Sequence, residues 1–236
     1  MIDFEAMRQK AAVFEINLSD RQLARLDCYA EMLVDWNTRM NLTGITDSEG
    51  IMTRHFEDSL SLLAYAKIPD GAKVIDVGTG AGFPGMVLKI ARPDIELTLL
   101  DSLQKRLVFL DAVAKEIQAK VRTVHLRAEE GGRKPEMREH FDIACARAVA
   151  NLRELSEYCL PYVKVGGQFI SMKGPDVTEE IQSAKPGIGT LGGKFVGLHE
   201  FCISDGSGRN VIVVDKIKPT PQQFPRTSAK ISKKSL

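Results

Sequence analysis

The sequence lacks the features that mark secreted, membrane-spanning and zinc-binding proteins. No apolar run approaches the roughly 18 residues of a membrane helix. The first residues show no basic region followed by an apolar stretch, so we expect no secretory signal and no membrane partner. The four cysteines are scattered and form no Cys-x-x-Cys pair: Cys28, Cys145, Cys159 and Cys202. We therefore expect no metal site and no disulfide framework, as in a protein of the reducing cytoplasm.

The sequence does contain enough apolar material for a folded core. Of the 236 residues, 44% are hydrophobic, which excludes a disordered chain. This length fits one α/β domain with an added segment, or two very small domains.

The net charge is only +1, but the charged residues are unevenly distributed along the chain. The stretch from Lys216 to the end holds six basic residues and no acidic one. Without these six, the 32 basic side chains of the chain become 26 against 31 acidic ones, a balance of −5. A basic tail on an acidic body favours an anionic partner that is contacted locally. A solvated, frayed terminus explains the same pattern equally well.

Residues 1–68 predict a helical cap. Residues 19–22 have the spacing of a capping box, and a first apolar series follows at helical intervals with Leu23, Leu26, Ala30 and Leu33. A second series consists of Met52, Phe56, Leu60 and Leu63.

From residue 73 onward the pattern predicts alternating strands and helices. We place strands at 73–77, 96–100, 121–126, 141–146 and 168–172, helices at 103–118 and 152–162, and another helix start near Pro84. Two β-rich segments, 194–203 and 209–217, are joined by a loop containing Asp-Gly and predict an antiparallel hairpin. Residues 131–135 and 185–193 are typical of exposed loops.

The predicted architecture is therefore α/β. We expect a Rossmann-like, mostly parallel sheet with helices on both faces and a terminal antiparallel hairpin. Three parts follow along the chain: the helical cap at 1–68, the sheet domain at 69–218, and a basic tail at 219–236.

A glycine-rich turn directly follows the first predicted strand. Residues 76–82 are Asp-Val-Gly-Thr-Gly-Ala-Gly, and glycines there permit a tight turn and a close ligand approach at a helix N-terminus. Residues 80–85 also satisfy the dinucleotide-binding pattern, and Asp101 can hold a ribose hydroxyl of either class of cofactor. Taken alone, this turn does not identify the cofactor.

Three observations together favour S-adenosylmethionine over a nicotinamide cofactor. The carboxylate of Asp76 suits a ligand that carries an ammonium and a sulfonium, and it would repel a pyrophosphate. After the third strand, Ala128 and Glu129 can bracket an adenine and bond its exocyclic amine. The terminal hairpin is characteristic of class I methyltransferase sheets. The cofactor contacts that we predict from the residues themselves are Asp76, Gly78, Gly80, Gly82, Asp101, Ala128 and Glu129.

The sequence lacks the residues that two common methyl acceptors require. Methylation of cytosine C5 needs an attacking thiolate, commonly after a proline, and none of the four cysteines follows one. Exocyclic amines commonly need an Asn/Asp-Pro-Pro-aromatic turn after the fourth strand, where this chain has Cys-Ala-Arg-Ala at 145–148. Guanine N7 carries a lone pair and no proton, so it needs neither a nucleophile nor a general base. The site is compatible with that acceptor.

Arg147 follows the fourth strand at the predicted rim of the sheet. Its guanidinium can hold the methionine carboxylate, a phosphate or the O6 edge of guanine. Alternatively, it is a surface arginine paired with Glu154 or Glu129.

Three further side chains have two interpretations each. Lys173 is either a contact at the same rim or an ordinary turn lysine. Arg54 precedes Asp58 by four residues, so the two can form an ion pair on a helix surface. His55 can equally be a packed residue at a helix edge.

Six motifs occur in the order found in one bacterial family. They are Asn41-Leu42-Thr43, Arg54-His55 with Asp58-Ser59, residues 76–85, residues 99–102 with Lys105-Arg106, Arg147-Ala148, and Lys173-Gly174. From about residue 30 onward the chain closely resembles the bacterial 16S ribosomal RNA guanine-N7 methyltransferases, also called glucose-inhibited division protein B. The Gly-Phe-Pro-Gly end of the glycine loop is more specific than the glycines alone.

The resemblance implies transfer of a methyl group from S-adenosylmethionine to a guanine N7 in 16S rRNA, within a small-subunit particle or an assembly intermediate. It implies cofactor contacts at Gly78, Phe83, Ala128, Glu129 and Arg147. Arg147 is also the candidate catalytic residue, and we expect a monomer. The candidate RNA contacts are Arg54, His55, Lys173 and Arg226.

The tail departs from the pattern of the family. Many relatives follow the aromatic-Pro-Arg element with Gly-x-Pro, which is absent after Phe224-Pro225-Arg226 here. The tail is therefore expected to act through charge alone. If all six basic residues met phosphates, log K would fall with log salt by at most about 4, at roughly 0.7 per contact.

Two other functions remain compatible with the residues. A methyltransferase for a small molecule or a protein would be active without RNA. A non-catalytic nucleotide-binding module would bind S-adenosylmethionine without turning it over. A nicotinamide dehydrogenase is disfavoured, because no His or Lys is positioned for proton transfer beside a hydride acceptor.

Overall fold

The computed structural model describes residues 1–236, and its N-terminal part is helical. The elements are α1 (Phe4–Ala12), α2 (Asp20–Met40), α3 (Ser48–Gly50), a π-helix (Ile51–Glu57) and α4 (Asp58–Tyr65). At the start of α2 the Ser19 side chain accepts from the Gln22 backbone N–H, and the Gln22 side chain accepts from that of Ser19, which confirms the predicted capping box. None of the helices combines the length and the apolar character that crossing a membrane requires.

The second apolar series does not form one regular helix. Ile51–Glu57 is π-helical, and α4 continues from it without a break. Met52, Phe56 and Leu60 are nevertheless buried, as their spacing predicts. π-Helical turns are rare and are frequent at functional sites, and this one carries both Arg54 and His55.

The rest of the chain alternates strands with helices. The strands are β1 (Lys73–Val77), β2 (Glu96–Asp101), β3 (Val121–His125), β4 (Phe141–Arg147), β5 (Val163–Lys173), β6 (Gly193–Cys202) and β7 (Gly208–Lys216). The helices are α5 (Gly85–Ala91), α6 (Gln104–Glu116), α7 (Ala128–Gly131), α8 (Leu152–Cys159), a 3-10 turn (Leu160–Tyr162), α9 (Thr178–Thr190) and α10 (Ser228–Lys233). The seven strands form one sheet of order β3-β2-β1-β4-β5-β7-β6. The predicted fold class is confirmed, including the antiparallel β6–β7 hairpin.

The strand order reverses between β1 and β4. β1 pairs in parallel with β2 on one side, where Asp76 is opposite Leu99, and with β4 on the other, where Asp76 is opposite Cys145. The carboxyl ends of these strands therefore diverge around a crevice. In open α/β sheets a ligand binds at such a switch point.

The two faces of the sheet support two hydrophobic clusters, of 37 and 22 buried residues. Successive residues of β1 alternate between them, because strand side chains point to opposite faces: Val74 belongs to the larger cluster, Ile75 and Val77 to the smaller. The larger cluster also contains Tyr29 and Phe56 of the N-terminal helices. These helices therefore share one core with the sheet.

One predicted loop is wrong. The glycines and proline of 185–193 favoured an exposed loop, but α9 extends from Thr178 to Thr190 with Pro186 inside it. Ile181, Ala184 and Ile188 are buried, so packing of this apolar face overrides the weak helix propensity of the segment. β5 is also longer than predicted, since it begins at Val163 rather than at residue 168. Its pairing with β4 shifts register between Phe141 and Ile143.

The C-terminal tail is packed rather than frayed. Phe224 and Ile231 are buried, and Arg226 donates through its backbone N–H, Nε and Nη2 to the fully buried carboxylate of Glu157. Lys216, fully buried, contacts Glu139 at 3.1 Å, and burial lowers its pKa to about 8. Of the six basic residues, four remain exposed: Lys218, Lys230, Lys233 and Lys234.

We expect Arg226→Ala to lower the free energy of unfolding by about 3 kcal/mol, since it would leave the Glu157 carboxylate buried and unpaired. Urea denaturation measures this loss. The matched control is Lys230→Ala in the neighbouring exposed helix, which should change stability by less than about 0.5 kcal/mol. Equal stability of the two variants would contradict an anchoring role for Arg226.

Candidate functional site

A cavity of about 380 Å³ opens at the carboxyl ends of β1, β2 and β4. Its lining includes Gly78, Asp101, Ser102, Arg106, Ala128, Glu129, Val149, Tyr158 and Ser228. Two other concavities, of about 350 and 630 Å³, lie at the opposite, amino edge of the sheet. Ligands of open α/β sheets bind at the carboxyl edge, so the cavity at the switch point is the candidate site.

The glycine loop is anchored by backbone bonds and shaped by close contacts. The N–H groups of Gly78 and Thr79 donate to the carbonyl of Leu100 at 2.8 and 3.0 Å. Gly78 has a φ of 72°, and a Cβ there would lie 2.8 Å from Val149 Cγ2. Only glycine fits this position, where the backbone lies open to the cavity.

Asp76 is placed beneath the loop rather than in the cavity wall. Its Oδ2 accepts from Thr79 Oγ1 at 2.6 Å and from the Gly85 N–H at 2.9 Å, so it organises the turn. Its Oδ1 is fully buried without a hydrogen-bond partner. Burial raises the pKa of this carboxyl to about 6.

The two carboxylates that line the cavity differ in their surroundings. Asp101 accepts from the N–H groups of Gly80 and Leu103 at 2.9 and 2.8 Å, and from Arg106 at 3.3 Å. These bonds fix its orientation. Glu129 is 8% exposed and has no hydrogen-bond partner in the chain, so its oxygens are available to a ligand.

Gly82 and Phe83 contribute to packing and do not line the cavity. A Cβ on Gly82 would lie 2.5 Å from the Tyr29 hydroxyl. The Phe83 ring stacks on His55 with centroids 4.3 Å apart and on Tyr29 at 5.4 Å. This part of the glycine loop therefore faces the N-terminal helices.

Arg147 also contacts the N-terminal helices. Nη1 donates to Asp58 Oδ2 at 2.7 Å and to the Arg54 carbonyl at 2.9 Å, and the guanidinium lies 5.0 Å from the Phe83 ring centroid. Asp58 also contacts Arg209 at 3.3 Å. The surface pairing of Arg147 with Glu154 or Glu129 is wrong.

The helix-surface pair of Arg54 with Asp58 is also wrong. Arg54 instead pairs with Asp205, in the β6–β7 connection, at 2.8 Å. Sequence spacing suggested the neighbour on the same helix, whereas the fold brings each residue a partner from a distant strand or loop.

His55 is buried within the same group of side chains. Nδ1 lies 3.3 Å from Arg147 Nη2 and Nε2 lies 2.8 Å from Thr43 Oγ1. A guanidinium only donates, so Nδ1 accepts and Nε2 carries the proton. Burial, and then the charge of Arg147, lower the pKa of His55 to about 3.

The four candidate RNA contacts do not form one exposed basic surface. Arg54 is exposed, but His55 is 7% exposed and Arg226 is committed to Glu157. Lys173 donates to the Ala150 carbonyl at 2.6 Å and to Glu180 at 2.7 Å. The alternative of an ordinary turn lysine is therefore wrong as well.

Several residues that line the cavity were not predicted from the sequence: Ser102, Arg106, Val149, Tyr158 and Ser228. Arg106 was part of a quoted motif, and its proximity to Asp101 was the available signal. Val149 and Ser228 carried none, because they come from separate connections of the chain.

No cysteine is a suitable nucleophile for this cavity. Cys145 and Cys159 are fully buried, and burial raises the pKa of both thiols. Cys28 lies within α2 and Cys202 is exposed at the end of β6, and neither lines the cavity. The chain holds no group of three or more His, Cys, Asp or Glu side chains arranged to bind a metal ion.

The donor set fits S-adenosylmethionine. An adenine amine and a ribose have carboxylate acceptors in Glu129 and Asp101, and the loop backbone at Gly78 is accessible. The unpartnered Asp76 Oδ1 places negative charge below the loop, as a cationic ligand favours. The cavity volume lies within the usual range for small-molecule sites.

Comparison with known proteins shows a match over most of the chain. A family model described as GidB, rRNA small subunit methyltransferase G, matches residues 22–203. Ribosomal RNA small subunit methyltransferase G of Clostridium perfringens (strain 13 / Type A) is 46% identical over 99% of this chain and 98% of its own. The protein of that name from Acetivibrio thermocellus is 48% identical over 96% of this chain and 93% of its own.

Solved structures share the fold. The YcgJ protein of Bacillus subtilis aligns with a TM-score of 0.54 at 14% identity, over 70% of this chain and 100% of that one. A 16S rRNA (adenine(1408)-N(1))-methyltransferase mutant from Catenulisporales acidiphilia has the same TM-score and identity, over 67% of this chain and 88% of that one.

The buried His55 predicts a pH dependence of stability. Between the ordinary histidine pKa and about 3, the unfolded chain binds a proton that the folded chain does not. The contribution of His55 to the free energy of unfolding is therefore fully present above pH 6.5. It falls as the pH decreases, by up to about 1.4 kcal/mol per pH unit. His55→Gln should remove this contribution in urea titrations between pH 4 and 7, whereas His140→Gln, at an exposed position, should not. Parallel curves for wild type and His55→Gln would refute it.

Proposed function

The chain belongs to the family of ribosomal RNA small subunit methyltransferase G, and we propose that it transfers a methyl group from S-adenosylmethionine to N7 of a guanine in 16S ribosomal RNA. The observation that carries the proposal is the cavity at the switch point, which combines an accessible glycine loop with an unpartnered Glu129 carboxylate. Both the substrate polymer and the acceptor atom follow from the family, and the chemistry of the site is compatible with that acceptor.

The cavity residues have separate roles toward the cofactor. S-adenosylmethionine supplies a methyl group that its sulfonium already activates. Asp101, oriented by Gly80 and Leu103, would accept from a ribose hydroxyl. Glu129 would accept from the adenine amine, and the Gly78 backbone would allow the ligand a close approach. These residues bind and orient, which supplies most of the catalysis in a displacement of this kind.

The acceptor needs no proton transfer. The lone pair of guanine N7 forms the new bond to carbon while the carbon–sulfur bond breaks, so the ring takes up the positive charge. The buried thiols exclude covalent catalysis by Cys145 or Cys159. Positioning therefore suffices, and no general base is required.

Arg147 acts as a positioning residue in this scheme. Its guanidinium is committed to Asp58, to the Arg54 carbonyl and to the face of Phe83. Arg147 does not line the cavity, so the geometry does not support the cofactor contact that the family resemblance implies for it. Arg147 instead fixes the end of β4, from which the next three residues enter the cavity wall.

The target base must be accessible before methylation. In an A-form duplex, N7 faces a deep and narrow groove that side chains do not enter. The base must therefore lie in a loop or be extruded. We infer that the enzyme acts as a monomer in the cytoplasm, on a small-subunit particle or an assembly intermediate that presents such a base.

The decisive test is the product. Incubation of the enzyme and labelled S-adenosylmethionine with small-subunit particles that lack the modification should yield one N7-methylguanosine in 16S rRNA, identified by nuclease digestion and mass spectrometry. Naked duplex RNA should be a poor substrate. A methyl group on another atom, or no methyl group at all, would contradict the assignment of guanine N7 as the acceptor.

A variant control connects the product to the cavity. Glu129→Ala should lower methylation at subsaturating cofactor by about tenfold, the usual cost of one lost hydrogen bond to a charged group. Turnover without RNA would instead indicate a small-molecule or protein acceptor. Cofactor binding without turnover on any particle would indicate a regulatory module.

The exposed tail lysines predict the salt dependence of RNA binding. Ser228, at the start of α10, lines the cavity, so Lys230, Lys233 and Lys234 lie near its rim. Because Lys216 and Arg226 are buried or paired, only four tail residues can contact phosphates. The tail then contributes at most about 2.8, rather than 4, to the slope of log K against log salt, at roughly 0.7 for each contact. Replacing all four exposed lysines with Gln should flatten log K against log salt by that amount. These replacements leave the buried Phe224 anchor intact, which deletion of residues 218–236 would not.

The matched control replaces lysines at the opposite edge of the sheet. Lys73→Gln with Lys120→Gln, both exposed beside the amino-edge cavity, should leave the slope unchanged. An unchanged slope in the four-lysine variant would remove the tail from the RNA interface.

A further inference from the structure

The segment between β4 and α8 forms one wall of the candidate site. Ala148, Val149 and Ala150 line the cavity and belong to neither a strand nor a helix. Ala148 has a φ of 55°, a left-handed conformation that a residue with a Cβ adopts at a cost. Val149 packs over Gly78. The rest of the protein must therefore hold this wall in place.

Lys173 and Glu180 hold the wall through its backbone. Lys173 Nζ donates to the carbonyl of Ala150 at 2.6 Å and to Glu180 Oε1 at 2.7 Å. The same Glu180 oxygen accepts from the N–H of Leu152, the first residue of α8. One ion pair thus binds a carbonyl and an amide on either side of Asn151. Both side chains are largely shielded from water, at 12% and 23% exposure.

The two ends of the wall are fixed independently. Arg147 ties its beginning to Asp58 of α4, and the Lys173–Glu180 pair ties its end to β5 and α9. Both ties use ionised groups, whose hydrogen bonds are roughly twice as strong as neutral ones. Because Lys173 binds a carbonyl, its effect does not depend on the side chains of the wall.

We propose that Lys173 and Glu180 are positioning residues that hold Ala148–Asn151 against the glycine loop, so that Val149 closes the cofactor cavity beside Gly78. The proposal rests on the proposed function, since it concerns the same cavity. It assigns Lys173 a role different from RNA contact: its ammonium is occupied within the protein, and it acts through the shape of the site.

The test compares Lys173→Met with Lys173→Arg, Glu180→Gln and the matched control Glu179→Gln, which alters an exposed neighbour in the first turn of the same helix. Hydrogen exchange of residues 148–152 is measured in the unliganded proteins. Calorimetry with S-adenosylhomocysteine and binding to a 16S rRNA fragment follow. Far-ultraviolet circular dichroism checks that each variant is folded.

We expect Lys173→Met to accelerate exchange in 148–152 and to weaken S-adenosylhomocysteine binding, each by about tenfold or more, as for the loss of one hydrogen bond to a charged group. RNA affinity should be unchanged. Glu180→Gln should have a smaller effect in the same direction. Lys173→Arg keeps a charged donor and should restore most of the affinity, and Glu179→Gln should match wild type.

Two results would overturn the proposal. The first is unchanged exchange in Lys173→Met together with weaker RNA binding, which would make Lys173 an RNA contact. The second is faster exchange with unchanged cofactor affinity, which would make the ion pair a structural tie without influence on the site. Failure of the wild type itself to bind S-adenosylhomocysteine would contradict the proposed function, and it would leave the exchange comparison valid.

Discussion

The pairing of Arg147 with Asp58 is the interaction on which the arrangement of this molecule depends. It joins the end of β4 to helix α4, and Phe83 of the glycine loop lies against the same guanidinium. Burying two charges is costly unless their hydrogen bonds are satisfied. Here Asp58 also contacts Arg209, and Arg147 also donates to a backbone carbonyl. The pair therefore permits one relative placement of three parts of the chain.

This constraint separates packing from ligand binding within one short loop. Gly78 faces the cavity, whereas Gly82 and Phe83 pack against Tyr29 and His55. The aromatic group transmits the position of the N-terminal helices to the loop. The N-terminal helices contribute no residue to the cavity lining, yet they determine the position of the glycine loop that lines it.

A rigid site suits the proposed chemistry. Methyl transfer to guanine N7 requires alignment of donor and acceptor and no proton transfer, so precision of placement is the main contribution of the protein. Accordingly, charged side chains near the cavity hold the backbone in place. Arg147 and Lys173 both donate to carbonyl groups, and Asp101 accepts hydrogen bonds from backbone amides. Glu129 is the exception, a carboxylate that the chain leaves free.

The sequence by itself determined the seven strands in their chain order, the capping box, the glycine turn and the terminal hairpin, because these depend on local periodicity and on residues close together in the chain. It did not predict α9, where a loop was expected. The sequence also predicted Gly78, Asp101, Ala128 and Glu129 as cofactor contacts from the ends of strands whose adjacency is predictable, and these four residues line the cavity. The division into cap, sheet domain and tail stays a prediction. Only the tertiary structure decided the partners of Arg147, His55, Lys173 and Arg226, since each pairs with a group between 7 and 92 residues away. Ion pairs and stacked rings carry no signal in local spacing, so side chains that a linear pattern places on a binding surface were instead committed to holding the fold.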